Sequence, residues 1–209
     1  MEEMNFGYIP SVMDGTEWVF GAPPEESKFP SKYSYRKFLP TVLDQGSLSI
    51  CVPCTCSAYL NWKENLKDGV GKDNKVALMD IYGIKTTDGD GMSFKEALHY
   101  LRHHGVRSNA GNLMIKSYAK VNSMISLKYA LVMNGPCLGA LAVYSDDCDF
   151  WNKKSGQRLM GYHAISIVGF NDDGFIIRNS WGTSFCDNGY TVIPYEEFNK
   201  FLELWTIMD

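Results

Sequence analysis

Apolar residues fall at helical spacing three times in the first two-thirds of the chain and at strand-like spacing after that. From Cys51 to about Leu66, the positions Val52, Cys56, Tyr59, Leu60 and Trp62 share a face, and Gly69 follows as a stop, which predicts a helix. Ser93 and Glu96 form a capping box ahead of Ala97, Leu98 and Leu101, with Gly105 as a C-terminal signal, which predicts a second. A third runs from Ser126 to Met133 and stops at Asn134, Gly135 and Pro136. Beyond this the pattern turns β-like. Leu138–Tyr144 and His163–Phe170 read as strands, Asn171–Gly174 as a turn, and Phe175–Asn179 as the return strand of a hairpin. Tyr190–Ile193 and Trp205–Ile207 are two shorter strands. Helices first and strands second predict an α+β fold with segregated elements. Residues 1–38 keep no period and carry Pro10, Pro23, Pro24 and Pro30, so they read as an irregular arm. Trp18, Val19 and Phe20 suggest that the arm packs on the body.

Charge narrows the function. Twenty basic against 24 acidic residues give a net charge of −4, without the basic excess that a phosphate backbone requires, so no nucleic-acid partner is expected. No apolar run reaches the roughly 18 to 20 residues of a spanning helix, so no membrane role is expected. The acidic start, Met1–Asn5, lacks the basic and apolar regions of a secretory signal. Six cysteines in a chain large enough to fold without staples are then expected to be free thiols, in the cytoplasm or another reducing compartment.

Three of those cysteines, Cys51, Cys54 and Cys56, sit where the loop Leu43–Ile50 turns into the first helix. The exposed N–H groups and dipole of a helix start favour a thiolate there. Alone, this cluster admits a C-x-x-C redox pair, half of a zinc site completed by Cys56 or Cys186, or a nucleophile among inert neighbours. The second half of the chain favours the nucleophile. A thiolate needs a base, and the base needs an orienting group. His163 opens an apolar strand, and Asn179 stands at the far end of the partner strand, so the hairpin brings the two together. Trp181 would keep water from their bond. Gln45, ahead of Cys51, can aim its amide N–H at the anion formed when sulfur attacks a carbonyl. His99 and His103, with Glu96 nearby, could hold zinc on one helix face, but read as a solvated face.

Gln45–Ser47, Cys51 at a helix start, His163, Asn179–Gly182 and Asn188–Tyr190 together resemble the papain-like cysteine peptidases, over about residues 39–209. The resemblance implies two lobes, one helical (about 39–125) and one antiparallel and β-barrel-like (about 126–209), with a cleft between them. It implies hydrolysis of peptide or protein substrates without a cofactor, through a Cys51–His163 pair oriented by Asn179, with Gln45 and the Cys51 N–H binding the oxyanion. Gly91 would bond a substrate backbone, and Met92 would line an apolar pocket with Pro136 and Cys137. The chain departs from the family pattern in three respects. The run Leu48–Val52 lacks the usual second cysteine and aromatic, Cys51 and His163 are only 112 residues apart, and the arm is too short and Pro-rich for a usual prosegment. Two rival expectations stand beside a peptidase. One is a dormant papain-like fold serving as a binding component of a larger, even viral, assembly, with Trp18–Phe20 filling the groove. The other is a thiol-disulfide or zinc protein built on Cys51 and Cys54.

Overall fold

A computed structural model describes residues 6–21, 29–68, 71–84 and 90–209. The expected stop at Gly69, and Pro23 and Pro24 of the arm, lie outside them. Four helices and nine strands are described: β1 (Tyr33–Ser34), α1 (Cys51–Asp68), α2 (Leu78–Tyr82), α3 (Phe94–His103), β2 (Val106–Ser108), β3 (Gly111–Leu113), β4 (Ser117–Lys120), α4 (Met124–Asn134), β5 (Cys137–Val143), β6 (Gly161–Phe170), β7 (Gly174–Arg178), β8 (Tyr190–Pro194) and β9 (Glu203–Met208). Short 3-10 turns occupy Arg36–Phe38 and Tyr195–Lys200.

Seven strands form one sheet in the order β4-β9-β5-β6-β7-β8, with β1 added to the end of β6. Every pairing is antiparallel. The sheet is open, since β4 and β8 end it without pairing to each other, so the expected barrel-like lobe is only loosely a barrel. β4 lies in this sheet although it precedes residue 126.

The long strand β6 explains why the sheet has a core on each face. Side chains alternate along a strand. Ala164 and Val168 join the core containing α1, α3, Leu138 and Trp205, while Ile165 and Ile167 join the one containing α4, Leu141, Phe150 and Phe175. Sandwiched against β6, α1 is buried on all sides from Cys51 to Trp62, and only its last turns are amphipathic. The α3 capping box forms both its bonds, Glu96 N to Ser93 Oγ (3.2 Å) and Ser93 N to Glu96 Oε2 (2.8 Å). Buried Arg178, at the end of β7, donates to the carbonyls of Pro40 (2.9 Å) and Thr41 (3.0 Å), which holds the loop leading to Gln45.

Cys148 and Cys186 form a disulfide, which corrects the expectation of six free thiols. Such bonds persist in oxidising surroundings. The bond also removes Cys186 from any zinc site, and no group of three or more metal-ligating side chains occurs among the described residues. It joins the loop after β5 to the loop before β8, beside the packed rings of Phe150, Trp181 and Phe185. Closing a 38-residue separation contributes about 4 kcal/mol by loop entropy. Cys148→Ser is therefore expected to lower unfolding stability in urea by about that amount, and Cys148→Ser with Cys186→Ser to lower it no further.

Candidate active site

Cys51 is the first residue of α1, and the β6–β7 hairpin carries the other two groups. His163, on β6, is fully buried, and its Nε2 lies 2.7 Å from Asn179 Oδ1. The same oxygen accepts the Ser180 amide N–H at 2.7 Å, which fixes the orientation of the Asn179 side chain. An acceptor there requires that the imidazole donate from Nε2, so Nδ1 is the basic nitrogen. Nδ1 has no hydrogen-bond partner among the described residues. The Trp181 ring stacks on His163 with centroids 4.8 Å apart, and Phe150 meets the ring edge-on, so the His163–Asn179 bond is shielded on two sides.

Gln45 is held from the same hairpin end. Its Oε1 accepts the Ser180 hydroxyl at 2.6 Å, its Nε2 donates to the Leu48 carbonyl at 2.9 Å, and its backbone N–H donates to Ser180 O at 2.9 Å. This turns the amide N–H side of Gln45 toward the start of α1. Ser180 thus orients both Asn179 and Gln45. It stands in the Asn179–Gly182 run, but sequence alone assigned it no role.

The arm runs through the site. Phe6 packs against the rings of His163 (6.1 Å) and Trp181 (6.2 Å). The next amide, Gly7 N–H, points to the Cys51 sulfur, as does Ala164 N–H. Gly7 O then accepts Met92 N–H (2.9 Å), Ile9 N–H donates to Met92 O (3.0 Å), and the Tyr8–Met92 bridge is parallel. The slot is tight enough to need glycines. A Cβ on Gly7 would lie 2.0 Å from Ser49 O, and one on Gly91, at φ +116°, would lie 2.8 Å from Gly7 O. The expectation that Trp18–Phe20 fill the groove is corrected. Trp18 and Val19 are exposed, and this stretch instead lies along Lys120 of β4, with Phe20 stacked on Tyr129. The local pattern did mark this stretch as apolar, but nothing in it told which aromatics find a cavity.

The expected pocket residues separate. The Gly91 N–H donates to the Tyr82 hydroxyl oxygen (3.3 Å), and here the backbone of Met92, rather than of Gly91, pairs with an extended peptide. Met92 is fully buried in the α1 core, while Cys137 lies in the other core with its sulfur toward Gly135 O.

Covering the site changes its electrostatics. Burial pushes the Cys51 thiol up to about 11, against a smaller opposing effect of the Ala164 and Gly7 N–H groups. Burial pulls His163 down to about 4, opposed by its bond to Asn179. Both groups are therefore neutral beneath the arm, and no hydrogen bond joins them. Because His163 binds its proton less well here than in an unfolded chain, its contribution to stability is complete above pH 6.5 and is lost as the pH falls toward 4, about 3 kcal/mol in all. An NMR titration of the full chain is expected to show the His163 ring neutral down to about pH 4, with thermal stability falling over the same window. A midpoint near 6.5 would mean that the ring is solvated.

This geometry is that of a known family. The family model described as papain family cysteine protease matches residues 55–201, which take in His163 and Asn179. The chain belongs to the papain family. The match begins after Cys51 and Gln45, so their places rest on the structure. Among relatives, Peptidase 1 of Dermatophagoides pteronyssinus is 25% identical over 181 residues, covering 70% of this chain and 54% of that protein. The cathepsin B-like cysteine proteinase 1 of Haemonchus contortus is 32% identical over 84 residues, 35% of this chain and 24% of that one. The chain thus spans about half or less of the length of these relatives. Xylellain, a cysteine protease from Xylella fastidiosa, superposes with a TM-score of 0.81 at 21% identity, covering 99% of this chain and 96% of that one, which establishes the papain-like fold.

Proposed function

We propose that this papain-family chain is a cysteine peptidase that hydrolyses peptide bonds and is held inactive by its own arm. The observation that carries the reading is the set of three hydrogen bonds at the hairpin end: His163 to Asn179, Ser180 N–H to Asn179, and Ser180 hydroxyl to Gln45. Together they leave Nδ1 as a base and turn a donor toward the helix start that carries Cys51. With the cleft open to water, desolvation no longer favours the neutral pair, and the Cys51 proton moves to Nδ1. The thiolate attacks the substrate carbonyl, Gln45 Nε2–H and Cys51 N–H receive the oxyanion, and Nδ1–H protonates the leaving amine. Water then attacks the thioester, giving up a proton to Nδ1, and the thiolate departs. Asn179 holds the ring throughout.

The direction of the arm explains why it is not cut. The leaving nitrogen must face His163. The arm runs from Phe6, beside His163, toward Ile9, beside Met92, so each of its amide nitrogens lies on the far side of its carbonyl from the imidazole. A substrate would run the other way, antiparallel to Met92.

The burial of Cys51 and the absent sulfur–imidazole bond favour one alternative, a dormant fold that only binds. One experiment separates the two. The chain carrying Gly7→Ala, whose added Cβ would lie 2.0 Å from Ser49 O and so displaces the arm, is titrated with iodoacetamide while hydrolysis of a mixed peptide library is followed. The peptidase reading expects Cys51 to be modified first among the four free thiols, with hydrolysis lost in proportion. Cys51 modification without any cleavable peptide would establish the dormant fold.

A further inference from the structure

Among the described residues, two side chains that are charged at neutral pH are more than nine-tenths buried, Glu203 and Arg178. Glu203 is bonded on both oxygens: Oε1 accepts the Trp205 indole N–H, and Oε2 accepts the Tyr8 hydroxyl and Ser11 N–H. Arg178 is not. A guanidinium carries five N–H groups. Nη1 donates to Pro40 O at 2.9 Å and to the Tyr190 hydroxyl at 2.7 Å, and Nη2 donates once, to Thr41 O at 3.0 Å. The Nε–H and the second N–H of Nη2 have no partner among the described residues. All three acceptors are neutral, and the arginine ion pairs among the described residues are those of Arg36 and Arg107. Burying a charge without a counter-charge is costly. The successive carbonyls of Pro40 and Thr41 take one N–H from each terminal nitrogen. What remains is the side of the fork, two parallel N–H groups spaced to meet two oxygens on one centre.

Arg178 borders a cavity of about 280 Å³ behind α1, enclosed by Ser57 and Asn61 of that helix, the loop at Pro40–Leu43 and the start of α2. Lys75, an exposed side chain, adds a second cation to the lining. We infer that this cavity is a binding site for a small oxoanion, a phosphate or a short carboxylate, held side-on by Arg178 with Lys75 beside it. The chain's own carboxylate in the same cavity is tied elsewhere, since Asp73 Oδ2 accepts the Lys75 ammonium at 2.7 Å and Oδ1 accepts the Lys75 N–H at 2.9 Å. A halide offers one acceptor point and uses the fork poorly; an oxoanion uses both arms. The site lies apart from the cleft and does not depend on peptide hydrolysis. Its occupancy still reaches the site chemistry, because the same guanidinium directly precedes Asn179 and holds the loop that leads to Gln45.

The test uses the full chain labelled with ¹⁵N and titrated with sodium phosphate, acetate or chloride at constant ionic strength and pH. Arg178→Lys, which keeps the charge and loses the fork, identifies the Arg178 Nε–H signal by its disappearance. That signal is expected to shift and saturate with a midpoint on the order of a few millimolar in phosphate or acetate, and to stay nearly fixed in chloride. The tighter of the two names the ligand class. Thermal unfolding of the parent is expected to move up by about 3 °C at ten midpoints of phosphate relative to chloride, and Arg178→Lys to lose that difference. Two surface changes decide the matter even where Arg178→Lys folds poorly. Lys75→Glu is expected to weaken phosphate about ten-fold, and Asp73→Asn to tighten it about three-fold. An Nε–H shift equal in chloride and phosphate, or a phosphate midpoint indifferent to both Lys75→Glu and Asp73→Asn, would overturn the site.

Discussion

The chain carrying Gly7→Ala is expected to react with iodoacetamide at Cys51 at least about 100-fold faster than the parent, and to gain peptidase activity in step. The new methyl carbon would lie 2.0 Å from Ser49 O, 2.3 Å from its carbonyl carbon and 2.7 Å from its Cα. These are backbone atoms two residues before the start of α1, a helix buried on all sides there, so the arm yields rather than the body. A cost of about 3 kcal/mol to the covered state already corresponds to more than 100-fold in its opening equilibrium. The change also lets water back onto Cys51 and His163, so thiolate should appear at lower pH. Gly21→Ala is the control on the same arm, since nothing lies within 4 Å of the position and its φ is ordinary. Unchanged Cys51 labelling in Gly7→Ala would mean that the arm does not guard the thiol.

Cys51→Ala, in the opened Gly7→Ala chain, is expected to reduce kcat for peptide hydrolysis by on the order of 10⁵-fold. Sulfur is both the nucleophile and the acyl carrier, and no neighbour replaces it: Cys54 and Cys56 are buried in α1, with burial pushing Cys54 up to about 12 and Cys56 higher still. Groups that act as one unit are not additive, so His163→Ala added to Cys51→Ala should cost little more. Steady-state assays on the three variants settle this. Residual turnover within ten-fold of the parent would show that Cys51 is not the nucleophile.

The parts of the site that were legible in sequence were those written in local signals. Asn171–Gly174 marked a turn, the apolar runs on each side fixed a hairpin, and the hairpin obliged His163 and Asn179 to meet. Cys51 was legible because a helix start has a pattern of its own. The arm was not. Residues 6–9 carry no period, and the contact that seats Tyr8 joins residues 195 apart, a pairing that no local rule reaches. Cys148–Cys186 escaped for a similar reason, since cysteine spacing gives a count of thiols and not their partners. The strands β2 and β3, three residues each, are too short to show alternation. Glu203 did leave a trace, a single carboxylate inside the apolar β9 strand, and a charge in such a place needs a partner of some kind.

The arm is also tied down outside the cleft. Lys120 N–H donates to Trp18 O and Phe20 N–H to Lys120 O, both at 2.8 Å, so the peptide stays attached even when Phe6–Ile9 swing free. A tethered plug faces its own groove at an effective concentration in the millimolar range, whatever the dilution of the protein. Peptides arriving from solution therefore compete against a rival that dilution never removes. Scission anywhere between Ile9 and Trp18 ends that advantage at once, because the freed fragment disperses and reassociates only at its bulk concentration. The fold thus turns a reversible plug into a one-way switch that a single cut suffices to throw.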